Sequence, residues 1–430
     1  MLEASPPPID HFPAFLARIP SHIDLEALAR ATKAFQRPRG VRSATDLLRL
    51  ALAWGPGGYS MQRVAAWAGE RNIATLTEDA LVQRLHAAGP FLEEVVRQLL
   101  IGVGEAPAWH GRVLRIADST CLRQQGSKGT DWRVHGVYDL GCGGFTHLEV
   151  TDNHGGEALD RGKPVAGEIR IADRGYATAQ AWQRFLQARH EQTDFIVRMR
   201  WSTIRLVDEA GDLFDLVAWL QARPHENEIH EITAWARSGK RQTPMKIRLI
   251  ARRKPPEVIA AEHKRLHQLA SRKQSQLDPR SLIAAEYVVL ATSLPEGEFP
   301  ATEVLAVYRL RWQIELAFKR LKSLLRIGKL RTKTEAGTRC WLYAHLIVAL
   351  LGDDLSQDFL ESFPSALFDA GATSSLWRVA QLVLDALIAA IRPPITLVML
   401  RQPSPSFHKR LANPKRKRRQ AVNYPHGRLS

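Results

Sequence analysis

The apolar positions of residues 1 to about 108 recur with a helical period. Ser43-Ala-Thr-Asp46 reads as a helix start, with Leu47, Leu48, Leu50, Ala51 and Trp54 on the apolar side and Gly55-Pro56-Gly57-Gly58 as the stop. Ser60 opens a second helix, with Val64, Ala65, Trp67 and Ala68 on one side. Thr77 precedes Ala80, Leu81 and Leu85, and beyond Gly89-Pro90 a further helix runs through Leu100. Such a helical domain suits DNA-end binding and plain packing equally, and the pattern does not separate the two.

At Arg112 the period changes from about 3.6 to 2. Val113-Leu-Arg-Ile-Ala117 is a short apolar run that stops at Asp118. Arg133 to Asp139 alternates, Gly141-Cys-Gly-Gly144 is a turn, and Phe145 to Val150 alternates again. These three segments predict an antiparallel meander. Glu168-Ile-Arg-Ile-Ala172 is a fourth strand ending at Asp173, Ala179 to His190 is helical, and Phe195 to Arg200 is a fifth strand. Three strands followed by strand, helix, strand is the order of an RNase H-like core. Residues 201 to 283 interrupt it with strands at Ile204 to Phe214, Ile229 to Ala234 and Met245 to Ala251 and a charged helix over Pro256 to Leu277. Tyr287 to Ala291 is the last strand. Helices are predicted from Thr302 to about Ile327, from Thr338 to about Leu351 and between Ser374 and Ile391.

The fold class is therefore α/β (α+β): an RNase H-like core with a β-rich insertion, an N-terminal helical domain and C-terminal helices. The expected boundaries are 1–108 for the helical, end-binding domain, 109–200 for the first part of the core and 201–283 for the insertion. Residues 284–352 carry the last core strand and its helix, 353–400 are C-terminal helices, and 401–430 form a basic tail. That tail holds nine Lys or Arg and no acid and reads as a solvated or phosphate-binding arm.

Composition narrows the function. Sixty Lys and Arg against 44 Asp and Glu give a net charge of +16, a surface that attracts nucleic acid. Cys121, Cys142 and Cys340 are odd in number and far apart, which supports neither a disulfide framework nor a zinc ribbon. The most apolar stretches, Trp341 to Gly352 and Leu382 to Ile391, read as buried helices, the first too short to span a bilayer and the second interrupted by Asp385. A reducing compartment and no membrane partner are expected.

Cutting a phosphodiester requires an activated nucleophile, a stabilised leaving oxygen and charge neutralisation, which two divalent ions held by carboxylates provide. Asp118 and Asp173 each follow an apolar strand in the same Ile-Ala-Asp context, so adjacent strands would bring both to one sheet edge. Tyr308, Arg311, Glu315 and Lys322, at about 100° per residue, fall within roughly 60° of one helix face. A solvated face with an Arg311–Glu315 ion pair is the simpler account of that stripe. Leu310, Ile314, Ala317, Phe318 and Leu321 supply a separate apolar face. Gly156-Glu-Ala-Leu-Asp-Arg-Gly162-Lys163-Pro164 is one residue too long for a phosphate-binding loop and lacks its hydroxyl.

The Tyr-x-x-Arg-x-x-x-Glu-x-x-x-x-x-x-Lys pattern at Tyr308, Arg311, Glu315 and Lys322 resembles the signature of the IS4 family of bacterial transposases. Trp312 and Ile314 fit its common form, and Ile116-Ala-Asp-Ser-Thr120 and Ile171-Ala-Asp-Arg-Gly-Tyr176 resemble its two aspartate motifs. The resemblance covers residues 40 to 350. It implies a DDE transposase with a retroviral-integrase-like core that cuts at inverted repeats and joins the ends to target DNA. Asp118, Asp173 and Glu315 would be the catalytic, metal-binding residues, Mg²⁺ the cofactor with Mn²⁺ as substitute, and a homodimer the form that holds two DNA ends. The resemblance also implies a cytoplasmic, nucleoid-associated bacterial protein. Tyr308, Arg311 and Lys322 would contact phosphates near a flipped base, with Tyr287 in the position of the stacking aromatic, where core packing is the equal alternative. The other reading is an inactive or repurposed transposase-derived DNA-binding protein.

Overall fold

The computed structural model describes residues 10–101, 107–124, 126, 127, 129–188, 192–224, 228–239, 243–324, 327, 330–362 and 376–393. The expected basic tail lies outside them. The described helices are α1 (Phe12–Leu16), α2 (Leu25–Ala31), α3 (Ala44–Trp54), α4 (Met61–Glu70), α5 (Glu78–Ala87), α6 (Gly89–Leu99), α7 (Ala179–Gln187), α8 (Leu216–Gln221), α9 (Pro256–Lys273), α10 (Pro279–Ala285), α11 (Ala301–Tyr308), α12 (Trp312–Leu324), α13 (Glu335–Ser362) and α14 (Leu376–Ile391). The strands are β1 (Pro107–Trp109), β2 (Arg112–Leu122), β3 (Trp132–Asp139), β4 (Gly144–Asp152), β5 (Glu168–Ala172), β6 (Asp194–Arg198), β7 (Arg205–Val207), β8 (Ile229–Arg237), β9 (Met245–Arg253) and β10 (Tyr287–Thr292). The chain divides into two compact units, Leu100–Ser323 and the pair of segments Met1–Leu99 and Leu324–Ser430.

The second unit is helical. Ser43, Ser60 and Thr77 cap α3, α4 and α5 by accepting from Asp46, Arg63 and Ala80 N–H groups, each satisfying a donor that the first helical turn leaves unpaired. Helix α13 packs against α3, α5, α6 and α14. Arg49 is buried on α3, held by both oxygens of Asp10 at 2.8 and 2.6 Å and by the Ile391 carbonyl.

The unit from Leu100 to Ser323 is built on one mixed sheet of order β4-β3-β2-β5-β6-β10-β9-β8-β7, with β1 paired to β2. Strands β2, β3 and β4 form the expected antiparallel meander, and β5 and β6 add in parallel through α7. This is the RNase H-like order. The insertion strands extend the same sheet, because β10 pairs β6 on one side and β9 on the other. Its first expected strand shortens to Arg205–Val207, where the Asp208 carboxylate accepts from Asp212 N–H and closes a turn.

Side chains alternate across this sheet. Ala117, Val137, Ala172, Phe195 and Val197 point to the face where Trp182 and Phe185 of α7 pack. Gly136 points the other way: a Cβ there would press on Phe318 of α12 at 2.9 Å and on Phe145 at 2.8 Å. Helix α12 thus seats on β3 through a position that glycine leaves open, with Ile314, Ala317, Phe318 and Leu321 buried as expected. Leu310 differs. It is 38% exposed because the chain there turns as a 3-10 segment, Arg309–Arg311, between α11 and α12.

A charged ladder crosses the sheet interior unannounced by the apolar pattern. Arg115 binds Asp139 at 3.1 Å and Glu168 at 3.3 Å, and Arg170 binds Glu168 at 2.6 Å. All four residues are buried.

Candidate active site

Strand β2 does not stop at Asp118, as the sequence suggested; it continues to Leu122, with Asp118 opposite Gly136 of β3. Strand β5 does end at Ala172. The parallel register pairs Ala117 with Ala172, so Asp118 and Asp173 are the next residues on neighbouring strands. Alternation turns both toward the face that α12 covers. Each carboxylate is fixed locally: Ser119 N–H donates to Asp118 Oδ1 at 2.7 Å, and Gly175 N–H donates to Asp173 Oδ1 at 2.7 Å. Asp173 thereby caps the 3-10 turn Arg174–Tyr176, whose Tyr176 ring is buried in the core.

Burial pushes the Asp118 carboxyl up to about 6, with repulsion from Asp173 and Glu157 adding to the shift and Ser119 N–H and Arg311 opposing it. Glu157 reaches the site from the run that resembled a phosphate loop. Its Oε1 accepts from Ser119 Oγ at 2.7 Å and from Arg133 Nη1 at 3.0 Å.

Glu315 departs from expectation. Arg311 stands between it and the aspartates, with Nη1 4.0 Å from Asp118 Oδ2 and Nη2 hydrogen-bonded to Glu315 Oε1. The Glu315 side chain is 54% exposed. Among the described residues no three Asp, Glu, His or Cys side chains lie close enough together to hold a metal ion. Arg311 instead sets a guanidinium beside both Asp118 and Glu315. The donor set still fits a hard divalent cation. It is all oxygen, and it gathers negative charge that raises the proton affinity of Asp118.

The 3-10 turn changes the other signature positions for the better. With three residues per turn, Tyr308 and Arg311 eclipse on one side, and Glu315 and Lys322, seven apart on α12, share a face. The Tyr308 hydroxyl is buried beside the Arg311 guanidinium. Burial raises its pKa, with Arg311 and Arg198 opposing the shift. Lys322 is half-buried.

Tyr287 packs into the core of the sheet unit. Its ring is only 4% exposed, and its hydroxyl donates to the carbonyls of Leu220 and Arg223 at 3.0 and 2.9 Å. It ties α8 to β10 and also lines a cavity between them.

Beside it opens a cavity of about 410 Å³ lined by Arg174, Arg198, Arg200, Lys254 and Trp201. Burial lowers the pKa of Arg174, and Arg198, Arg200 and Arg265 lower it further. Burial likewise lowers Lys254. So many cations facing one space, beside Asp173, suit a polyanion. Sequence reading missed this cavity and Glu157; the alternation of Arg198 and Arg200 was the available signal for the first.

The sequence profile described as Transposase DDE domain matches residues 109–351. The chain belongs to the DDE transposase family. The chain of this transposase is 38% identical over 358 residues to the putative transposase InsL for insertion sequence element IS186A of Escherichia coli K12, covering 83% of this chain and 96% of that one. It is 38% identical over 359 residues, with the same coverage, to the transposase for insertion sequence element IS421 of Escherichia coli. A more distant relative, the transposase for insertion sequence element IS231F of Bacillus thuringiensis subsp. israelensis, is 27% identical over 232 residues, 50% of this chain and 48% of that one. The transposase is an enzyme, and its DDE domain implies use of a divalent metal. Among the described residues no helix is long and apolar enough to cross a membrane.

Proposed function

We propose that the transposase moves an insertion sequence by a cut-and-paste route, cutting DNA at inverted repeats and joining the freed ends to target DNA. The observation that carries this reading is the register of β2 and β5, which sets Asp118 beside Asp173 on the face under α12. Asp118, Asp173 and Glu315 would hold Mg²⁺, for which Mn²⁺ substitutes. That pair of ions, when bound, lowers the pKa of the attacking water or hydroxyl and neutralises charge on the scissile phosphate.

The chain's own part is to orient and to neutralise. Ser119 and Gly175 N–H groups aim the two aspartates. Arg311, whose planar fork matches two phosphate oxygens, exchanges its carboxylate partners for the DNA backbone and frees Glu315. Tyr308 offers a hydroxyl at the same place, and Lys322 adds a point charge along α12. The cavity of Arg174, Arg198 and Arg200 receives the strand beyond the cut. The helical unit takes end recognition, and a homodimer holds two ends in the bacterial cytoplasm, at the nucleoid.

Cleavage of a duplex bearing the element's terminal repeat tests this. Asp118→Ala, Asp173→Ala and Glu315→Ala are each expected to abolish Mg²⁺-dependent cutting while DNA binding, read by gel shift, persists. Wild-type cutting by any one of them removes that residue from the site. Specific binding by the wild type without cutting in Mg²⁺ or Mn²⁺ rejects the active-enzyme reading in favour of a DNA-binding relic.

A further inference from the structure

Glu157 lies against the residues that fix both members of the aspartate pair. On the β2 side its Oε1 accepts from Ser119 Oγ at 2.7 Å, and Ser119 is the residue whose N–H fixes Asp118. On the β5 side its Oε2 stands against Gly175, where a Cβ would collide with it. Gly175 is the residue whose N–H fixes Asp173. Gly175 does not occupy the left-handed region, so its backbone would accept alanine. The space is closed by the Glu157 carboxylate and, 3.0 Å from the same point, by Asp173 Oδ1. Arg133 holds the strut in place through Oε1 at 3.0 Å.

We infer that Glu157 is a positioning residue: a carboxylate strut set between the residues whose N–H groups aim Asp118 and Asp173, admitted by the missing Cβ of Gly175. The inference rests on the assignment of those aspartates as metal ligands. A carboxylate that merely paired with Arg133 would have no reason to bear on both donors. A strut does, because sub-ångström drift of either N–H swings the carboxylate it anchors. Residues that orient metal ligands from behind are worth about 10- to 100-fold in metal affinity.

The test uses the full chain and five proteins: wild type, Glu157→Ala, Glu157→Gln, Gly175→Ala and the double variant Glu157→Ala/Gly175→Ala. Mn²⁺ binding is read from the loss of the free-ion paramagnetic resonance signal, and melting temperature is measured without metal. Glu157→Ala is expected to weaken Mn²⁺ binding about 10- to 100-fold. Glu157→Gln, which keeps an acceptor for Ser119 Oγ, is expected to lose less than about tenfold. Gly175→Ala should lower both Mn²⁺ affinity and melting temperature. In the double variant the collision is gone, so the second substitution should cost far less melting temperature than it does in the wild type, while Mn²⁺ affinity stays low. Wild-type Mn²⁺ affinity in Glu157→Ala overturns the inference, as does an equal melting penalty for Gly175→Ala with and without the Glu157 side chain. Asp118→Asn is the control: if it too binds Mn²⁺ like the wild type, the metal-ligand assignment fails, while the melting comparison still reports whether Glu157 bears on Gly175.

Discussion

Replacing Asp118 by asparagine should make the metal-free transposase more stable while making it inactive. The Asp118 side chain is 18% exposed, and burial, with Asp173 and Glu157, moves its carboxyl from 3.8 to about 6. Between those values the folded protein keeps a proton that the unfolded chain has released. Stability therefore falls as pH rises through that window and stays low above it. A shift of about two units corresponds to roughly 3 kcal/mol at about 1.36 kcal/mol per unit, an upper figure. Asparagine carries no charge and retains an oxygen for Ser119 N–H. At pH 7.5 the variant should melt higher, by at most about 6–12 °C at roughly 2–4 °C per kcal/mol for a unit of this size. Below pH 4 the difference should close, since wild-type Asp118 is then neutral. Calorimetric melting in chelator-treated buffer measures both points. Adding Mg²⁺ at pH 7.5 should raise the wild type and leave the variant unmoved. The reasoning is refuted if the variant melts no higher than wild type at pH 7.5, or if the gap is the same at pH 4.

Three further outcomes follow from the fold. Tyr287→Phe removes a hydroxyl that serves two carbonyls at the end of α8 and should cost about 1–2 kcal/mol by denaturant titration; unchanged stability would show that the hydroxyl does not tie α8 to β10. Arg200→Glu should weaken DNA binding and reduce the slope of log affinity against log salt by about 1 or more, and an unchanged slope removes the cavity from the DNA path. Arg115→Met leaves Asp139 and Glu168 buried with less compensation and should cost about 3–5 kcal/mol, seen as a fall in melting temperature or in soluble yield at 37 °C.

Much of this architecture was legible before any coordinates. The change from a helical to a two-residue period at Arg112, the caps at Ser43, Ser60 and Thr77, and the order of strands around α7 all arise from local rules. Each segment therefore carried its own evidence. The repeated Ile-Ala-Asp context pointed to adjacent strand positions because parallel register is set by matching apolar residues. What stayed hidden depends on partners far along the chain. Asp118 lies inside β2 because β3 continues beyond it. Tyr287 is buried in one cluster with Leu216, Trp219 and Leu220 of α8, a segment with no sequence signal assigned to it. Glu157 sits in a loop with no period at all. Arg311 between Asp118 and Glu315 was visible only as an i,i+4 ion pair with Glu315. Gly136 read only as one position of an alternating strand and Gly175 only as part of an aspartate motif, yet each leaves room for a side chain from another element.

The helical unit draws its core from both extremities of the polypeptide. Helices α3, α5 and α6 must await α13, which the ribosome makes only after the whole catalytic sheet. At roughly 5–20 residues per second, Leu47, Leu81 and Phe91 remain without that cover for on the order of ten seconds or longer. During translation the sheet bearing Asp118 and Asp173 can thus be finished first, and the earliest-made helices are the last to find their cover.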